Sequence, residues 1–589
     1  MQLATLDWAI IGAFFIVSLA IGLMVSRKAG SSVSEFFLSG RNMPWWLLGV
    51  SMVATTFSAD TPNLVTNLVR NDGVAGNWGW WAFLLTGMLT VFVYAKLWRR
   101  SKVLTDVEFY ELRYSGKAAT FLRGFRALYL GLIFNVMVMG AVSLAAVKFG
   151  EVLLGIPGWV TLAIAGSVTL FYSALGGLKA VIITDFVQFI LAMIGSVWAC
   201  IYLLNMEEVG GLSNMLQHAN VSDKLNLLPS FAEPAVWVPV LLVPIAVQWW
   251  ASYYPGAEPG GGGYIAQRMF SAKNEKHAIG ATFFFNVAHY ALRPWPWILI
   301  ALASLVVFPE LSDLQKAFPS LSEDKLGHDV AYPAMLTLLP TGLLGLVAAS
   351  LIAAFMSTMS TQLNLGASYL VNDFYQRFFA PDASQSHLVW AGRLFTVVTT
   401  FMGLGLGLML TDANQAFQLL LLLGAGTGLI YILRWFWWRI NAWTEIVAMI
   451  TSLIVAGYFT FLNDSLLDWE KLVIGAVVTT VVWVVATFFT PGTDDKTLRN
   501  FYRLIRPGGS GWDVVLEKAA ADGEPIEKEN GQIPLEILSM VIGCILVYST
   551  LFATGNWLYG RIGSAIFLTL LATGSAYFFY WVRHKLKAD

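Results

Sequence analysis

Residues 349–375, ASLIAAFMSTMSTQLNLGASYLVNDFY, decide the fold, because they predict a helix too apolar for water whose final turn enters a loop. A helix in lipid does not need many hydroxyls for stability, whereas a helix that strips water from a small hard cation needs oxygen ligands. Together with an interrupted helix near residue 57, this stretch indicates ion-coupled transport. Its hydroxyl side chains share one face and are Ser350, Ser357, Thr358, Thr361 and Ser368.

The composition is that of a membrane protein, since 57% of the 589 residues are hydrophobic and only 12% are charged. Soluble domains carry roughly twice this charged fraction. About fifteen apolar runs have the length that a bilayer crossing needs, which predicts an all-α polytopic membrane protein rather than a β-barrel. The runs begin near residues 6, 44, 78, 123, 158, 180, 236, 278, 333, 389, 413, 441, 469, 532 and 562.

The distribution of lysine and arginine predicts the orientation. Basic residues fill the loop around 99–117, and Arg268 and its neighbours precede the eighth span, whereas the intervening loops 205–235 and 309–330 are acidic. With an odd number of spans, this places the N-terminus outside and the C-terminus in the cytoplasm. We expect a multi-pass protein surrounded by lipid in the plasma membrane, which is the inner membrane if the source is bacterial. The net charge of −1 gives no indication of nucleic acid.

Two spans, five apart, carry interruptions. In the second span Pro62 disfavours helix at Thr61, so we predict a break there. The seventh span is disrupted by Pro244 and then by residues 255–263, PGAEPGGGG. A break frees carbonyls that suit a cation and N–H groups that suit a polar solute. Paired interruptions indicate the binding site of a transporter built from inverted repeats, and two unrelated kinked helices are the alternative.

The interruptions predict how the chain is organised. The polar segment 491–531 is too short for an independent core, and we interpret it as a cytoplasmic linker or regulatory segment. The predicted units are an extra helix with its loop (1–43), a first five-helix repeat (44–204), an extracellular loop (205–236), a second repeat (237–437) and C-terminal helices (438–589).

Five segments resemble motifs of the sodium:solute symporters, the family of the sodium–glucose and sodium–proline transporters. The resemblance covers roughly residues 5–445 and implies a LeuT-like fold, a five-plus-five inverted repeat with one extra N-terminal helix and four C-terminal ones. The segments are SMVATTFSAD (51–60), GGLKAVIITDFVQ (176–188), YIAQRMFSAKN (264–274), AAFMSTMSTQLNLGASYLVNDFY (353–375) and RWFWWRIN (434–441).

The resemblance also implies a sodium site. The family's ligands fall on the carbonyls of Ala54, Phe57 and Ala354 and on the hydroxyls of Ser357 and Thr358. Residues three and four apart share a helical face, which agrees with this assignment. The family commonly has serine where Thr358 stands, and the hydroxyl is retained. The alternative is that these hydroxyls bond to carbonyls of their own helix.

Asp185, in IITDFVQF, matches a family aspartate near the sodium exit route. Its carboxylate can attract Na⁺ or form part of a second ion site. Alternatively, it can pair with Lys179, about one and a half turns away.

Sugar-transporting relatives bind their solute with the broken helix, the first helix of the second repeat and the tenth core helix. This chain departs from their pattern at Asp60 and Thr61, in the inserted PGAEPGGGG stretch, and in having no lysine at the expected place in the eighth span. The candidate residues at these positions are Asp60, Thr61, Asn63, Trp249, Trp250 and Gln418.

The eighth span adds Asn286, His289 and Arg293, whose spacing of three and four places them on one face. Arg293 lies near the middle of the span and needs compensation. Its partner can be Asp60, or a carboxylate or phosphate of the solute, since arginine binds such groups with its planar fork. Snorkelling or packing at a helix end is the third alternative.

We therefore predict a secondary active symporter that uses Na⁺ to import a small polar organic solute by alternating access. A sugar is the first expectation, followed by an amino acid or a small carboxylate. No catalytic constellation stands out, so we do not expect an enzyme, although a membrane-embedded one is an alternative. The others are a sensor built on a transporter fold and a carrier coupled to H⁺ through Asp60 and Asp185. Oligomeric state and Na⁺ stoichiometry stay open.

Overall fold

The computed structural model describes residues 3–29, 31–56, 58–319, 321, 325–410, 413–462, 465–529 and 532–582. Its regular secondary structure within these ranges is helical. Twelve of the described helices are long and apolar enough to cross a membrane. They are Thr5–Val25, Val74–Ser101, Gly116–Leu154, Gly176–Leu204, Pro234–Ala251, Glu275–Val307, Leu343–Gln376, Gln385–Met409, Ala442–Thr460, Asp468–Phe489, Ile533–Leu558 and Ile562–Val582.

Three further helical segments are shorter or interrupted, and they lie where the sequence predicted additional crossings. They are Trp45–Thr56 with Asp60–Asp72, Gly158–Phe171, and Ala413–Gly424 with Gly428–Leu433. The first and sixth helices after the N-terminal one are therefore both discontinuous. This is the arrangement that two repeats of five helices produce.

The first broken helix comprises Trp45–Thr56 and Asp60–Asp72. Its second half already includes Thr61 and Pro62, so the prediction of a break at these two residues was wrong by a few positions. Proline is tolerated in the first turn of a helix, because the N–H that it lacks has no partner within the helix there. Pro62 thus marks the start of the second half.

The second broken helix comprises Pro234–Ala251 and Gly263–Ser271. The prediction that Pro244 disrupts it was wrong, because the chain passes through Pro244 as a π-helical stretch, in which the hydrogen bonds span five residues. The interruption at the glycine-rich segment Ser252–Gly262 is confirmed. Gly260 there has a φ of +75° and a Cβ would lie 2.5 Å from the Tyr431 carbonyl oxygen, so this position requires glycine.

The helix Leu343–Ser368, called the long helix below, is almost completely buried and packs against Gly158–Leu204 and the N-terminal helix. The sequence pattern placed its start near residue 333, but that region forms a separate short helix, Ala331–Leu336, followed by a turn. At the other end the chain stays helical to Gln376, beyond the predicted loop entry. The predicted hydroxyl face therefore lies in the centre of the molecule.

The helix Ile533–Leu558 contacts the body of the protein through polar groups. Lys96 forms an ion pair with Glu536, and the Tyr548 hydroxyl donates to the carbonyl of Trp81 at 2.8 Å. The indole of Trp295 donates to the carbonyl of Leu551 at 3.0 Å. These contacts join the C-terminal helices to the helices Val74–Ser101 and Glu275–Val307.

The segment predicted as a linker contains two short helices, Asp495–Ile505 and Asp513–Ala521, which we call the short helix pair. Trp512 between them is fully buried and donates to the carbonyl of Trp435 at 2.9 Å. Its ring stacks on Phe501 at 5.5 Å. The pair thus packs on the ends of the membrane helices, consistent with its being too small for a core of its own.

We expect Trp512→Ala to detach the short helix pair, since deleting a buried tryptophan side chain costs about 3–5 kcal/mol. Limited trypsin digestion of the purified protein should then cut within residues 494–529 at least tenfold faster than in wild type. Val514→Ala, at an exposed position, is the control. Equal cleavage rates for Trp512→Ala and wild type would contradict the role assigned to Trp512.

Candidate functional site

The first broken helix and the long helix touch where the first half of the broken helix ends. The Thr358 hydroxyl donates to the carbonyl of Thr55 at 2.7 Å, and the hydroxyls of Thr55 and Thr361 lie 3.0 Å apart. Ala54 and Ala354 are buried beside this contact. Of the five predicted sodium ligands, Thr358 thus lies at this contact, Ala54, Ala354 and Ser357 are buried in the same two helices, and Phe57 lies outside the described residues.

The chemistry of this contact suits a small cation. The last four carbonyls of a helix have no partner within the helix, and the helix dipole makes this end negative. Carbonyl and hydroxyl oxygens are the ligands that hard cations prefer. The oxygens of Ala54, Ala354, Ser357 and Thr358 are therefore a chemically suitable set for Na⁺.

Asp185 lies next to this oxygen cluster and is fully buried. Its carboxylate accepts hydrogen bonds from Ser357, at 2.6 Å, and from Ser51. Its cationic neighbour is Arg268, at 3.6 Å, so the alternative of a pair with Lys179 was wrong. The carboxylate is thus one hydrogen bond away from a predicted sodium ligand.

Arg268 is the residue that the sequence reasoning missed. It was counted among the loop charges, but it lies in the second half of the second broken helix and is fully buried. Its guanidinium donates to the hydroxyls of Thr361, at 2.7 Å, and Ser51, at 3.2 Å. A signal was available in the sequence, because Arg268 follows a glycine-rich interruption and stands next to Gln267. A buried arginine needs polar partners, and Gln267 is one.

The second half of the first broken helix carries the predicted solute residues Asp60, Thr61 and Asn63. Asn63 is fully buried, and within the described part of the chain neither its amide oxygen nor its amide nitrogen has a hydrogen-bond partner. One carboxylate oxygen of Asp60, Oδ1, is also buried without a hydrogen-bond partner among the described residues. The hydroxyl of Thr61 donates to the carbonyl of Thr56 at 3.3 Å. Buried polar atoms are usually paired, so Asn63 and Asp60 indicate a place for a polar molecule.

Trp249 and Trp250 end the first half of the second broken helix and are half-buried. Their indole N–H groups donate to the carbonyls of Ile245 and Ala246, both at 2.7 Å, one turn back in the same helix. The rings therefore offer apolar faces rather than hydrogen bonds. Gln418, on the helix Ala413–Gly424, is also half-buried.

Asn286, His289 and Arg293 do not act as one cluster. Asn286 donates to the carbonyl of Thr282 at 2.9 Å, and His289 packs against the ring of Trp80 at 5.4 Å. Arg293 donates to the carbonyls of Val53 and Thr56, both at 3.2 Å. These contacts fit the alternative of packing at a helix end, and a solute partner for Arg293 stays a prediction.

The position of Arg293 has a simple electrostatic explanation. A cation at the carboxyl end of a helix is stabilised by the dipole and by the unpaired carbonyls. Arg293 occupies this place on the first half of the first broken helix. Its charge also acts on Asp60, without an ion pair within 4 Å between these two described residues.

Twelve described helices long enough to cross a membrane, two broken helices and an oxygen cluster at the first break define a transporter of the LeuT-like type. The sequence model of the Sodium:solute symporter family matches residues 36–452, and the chain belongs to this family. It is therefore a multi-pass membrane symporter whose coupling ion is Na⁺, and the family consists of transporters.

Similar proteins agree with this assignment. A sodium/glucose cotransporter of Vibrio parahaemolyticus is 26% identical over 515 residues, which cover 84% of this chain and 92% of the relative. A sodium/mannose cotransporter of Bos taurus is 26% identical over 477 residues, covering 75% of this chain and 76% of the relative. Among solved structures, a Na⁺-coupled sialic acid symporter superposes with a TM-score of 0.67 at 19% identity, over 83% of this chain and 99% of that one. This last likeness concerns the fold.

Proposed function

We propose that this symporter imports a neutral polyhydroxylated solute, a sugar or a related polyol, together with Na⁺. The observation that carries the proposal is the buried, unpaired amide of Asn63 beside the break in the first broken helix. An amide offers one donor and one acceptor side, which a sugar hydroxyl can satisfy in both roles. The relatives named for glucose, mannose and myo-inositol support the same solute class.

The sodium ion is bound, in this proposal, by the carbonyls of Ala54, Phe57 and Ala354 and the hydroxyls of Ser357 and Thr358. These ligands come from two helices, so the ion holds the first broken helix against the long helix. The solute binds to the second half of the same broken helix, at Asp60, Thr61 and Asn63. Because one helix contacts both cargoes, their binding is coupled, and alternating access moves them together.

Asp185 stands beside the sodium ligands, on the exit route, in this proposal. Its charge is balanced by Arg268, at 3.6 Å, and its carboxylate accepts a hydrogen bond from the Ser357 hydroxyl. That bond turns the lone pairs of the hydroxyl oxygen away from Asp185 and leaves them free for the ion. Asp185 is thus a positioning residue for Ser357 rather than a direct ligand.

The energy for uptake comes from the membrane. One Na⁺ moving inward gains about 2.3 kcal/mol for each 100 mV of potential, in addition to its concentration gradient. We propose the plasma membrane as the location, with the N-terminus outside and the C-terminus in the cytoplasm, and with the repeats at 44–204 and 237–437. The alternation of basic and acidic loops supports this orientation.

The test is uptake by proteoliposomes of labelled sugars, polyols, amino acids and carboxylates, each with and without an inward Na⁺ gradient. We expect Na⁺-dependent accumulation of a sugar or polyol. Asn63→Ala should weaken apparent solute affinity roughly 10- to 100-fold, since each lost hydrogen bond of a buried polar group costs about 1–3 kcal/mol.

Asn71→Ala, an exposed asparagine on the same half-helix, is the control and should transport like wild type. Accumulation of an amino acid or a carboxylate in place of a sugar would contradict the proposed solute class. Unchanged solute affinity in Asn63→Ala would remove Asn63 from the binding site.

A further inference from the structure

The glycine-rich segment Ser252–Gly262 carries a carboxylate into the interior of the protein. Glu258 is 4% exposed, and its Oε2 atom has no hydrogen-bond partner within the described residues. The described lysines and arginines form no ion pair with it within 4 Å. An ionised carboxylate in such a place is costly unless a cation accompanies it.

A second carboxylate, that of Asp106, lies next to Glu258. It accepts hydrogen bonds from the Tyr369 hydroxyl, at 2.6 Å, and from the backbone N–H of Gly263, at 2.9 Å. A Cβ on Gly262 would lie 3.4 Å from Asp106 Oδ2 and 3.2 Å from Glu258 Cβ, so the two side chains flank this glycine. Asp106 thus adds negative charge beside Glu258, although Arg126 and Arg434 partly offset it.

Glu258 lines an enclosed cavity between the glycine-rich segment, the helix Gly116–Leu154 and the long helix. Asn135 lines the same cavity and is 3% exposed. Its amide nitrogen donates to the carbonyl of Gln362 at 2.8 Å, whereas its amide oxygen has no partner in the part of the chain that the structure describes. Two buried oxygens on residues that line the cavity, Glu258 Oε2 and Asn135 Oδ1, therefore have no hydrogen-bond donor among the described residues.

The size of the cavity limits what can occupy it. The volume open to the centre of a water molecule is about 20 Å³. This is enough for one or two waters or a single atomic ion, because one water centre needs about 10–15 Å³. A sugar or another organic solute does not fit.

We propose that this cavity binds one alkali-metal cation, with Glu258 supplying the charge and Asn135 a neutral oxygen. A carboxylate oxygen and an amide oxygen that face the same small cavity suit a hard cation. The site is distinct from the sodium site assigned to Ala54 and Thr358, and the inference goes beyond the proposed function. Sodium is the ion available from the established coupling, so we take Na⁺ as the occupant.

The geometry also links this site to the transport cycle. Tyr264 lines the cavity, and its hydroxyl lies 2.7 Å from the hydroxyl of Thr56, the last residue of the first half of the first broken helix. A cation at Glu258 fixes the glycine-rich segment and, through Tyr264, this end of the broken helix. Both ion sites then stabilise the same arrangement of the two broken helices.

The test is equilibrium binding of ²²Na⁺ to the purified full-length chain. Glu258→Gln keeps the shape and removes the charge, and we expect it to bind one Na⁺ fewer per chain than wild type. Asn135→Ala should keep the number of ions but weaken the affinity of one of them at least tenfold. Glu275→Gln is the matched control, because it makes the same change at a buried glutamate that pairs with Arg100 at 2.8 Å.

The outcomes separate this site from the one proposed earlier. If Glu258→Gln and Asn135→Ala both bind as many Na⁺ as wild type with wild-type affinity, the proposal of an ion site at Glu258 is wrong. A proton on the carboxylate then explains how Glu258 stays buried without a cation. If Glu258→Gln loses one ion while Ser357→Ala/Thr358→Ala loses none, the cavity site stands and the assignment to Ser357 and Thr358 fails. If Glu258→Gln does not fold, the affinity change in Asn135→Ala decides.

Discussion

Replacing Ser357 and Thr358 together by alanine is expected to abolish Na⁺-driven accumulation of the solute. Two of the five oxygens assigned to the ion disappear, and the three that remain are backbone carbonyls. Each lost hydroxyl costs about 1.5–3 kcal/mol when its partner is charged. The sum corresponds to a loss of Na⁺ affinity of roughly 150- to 25,000-fold.

The measurement is the Na⁺ concentration that gives half-maximal uptake in proteoliposomes. Thr358→Ser retains the hydroxyl and should stay close to wild type. Ser350→Ala is the control for general damage to the long helix, because the Ser350 hydroxyl donates to the carbonyl of Val347 in its own helix. A double variant with wild-type Na⁺ dependence would exclude Ser357 and Thr358 as ligands.

The second large effect is expected for Arg268→Met, which leaves Asp185 buried without its cation. Breaking a buried pair by removing one partner costs about 3–5 kcal/mol, because an uncompensated charge stays in the interior. Five groups around Arg268, three hydroxyls, one amide oxygen and one carboxylate, also lose a donor. We therefore expect a much lower temperature of thermal unfolding in detergent.

The double variant Asp185→Asn/Arg268→Met should recover most of this loss, since it removes both charges. Lys276→Met, which removes an exposed charge near the end of the same broken helix, should unfold like wild type. A double variant less stable than Arg268→Met alone would show that Asp185 and Arg268 contribute independently. Recovery of stability without recovery of Na⁺-driven uptake would fit the positioning role of Asp185.

Much of the architecture follows from local patterns in the sequence. The length of an apolar run is set by the bilayer, so counting runs predicts a polytopic helical protein, and twelve described helices are long enough to cross. The interruption at Ser252–Gly262 follows from its glycines and prolines, whose effects on the backbone are local. The hydroxyl face of the long helix follows from helical periodicity, and its position in the interior follows from the same pattern.

The parts that sequence reasoning missed depend on distant residues. Arg268 meets Ser51 across 217 positions and Thr361 across 93, which no local pattern encodes. Pro244 was expected to break its helix, because proline has no backbone N–H to donate. The chain instead continues from Pro244 to Gln248 as a π-helix. For Arg293 three partners were left open, and its contacts to the carbonyls of Val53 and Thr56, 240 and 237 positions away, are also beyond any local pattern. The sodium and solute assignments stay predictions.

The ion pair between Lys96 and Glu536 has a consequence for how the protein is made. The two residues are 440 positions apart, so at about 5–20 residues per second Lys96 enters the membrane roughly 20–90 s before its partner is synthesised. During that time its long side chain must reach the aqueous interface. A chain that ended after the ten core helices would leave Lys96, the carbonyl of Trp81 and the indole N–H of Trp295 without these contacts. The helix Ile533–Leu558 therefore supplies partners to core groups that are synthesised hundreds of residues earlier.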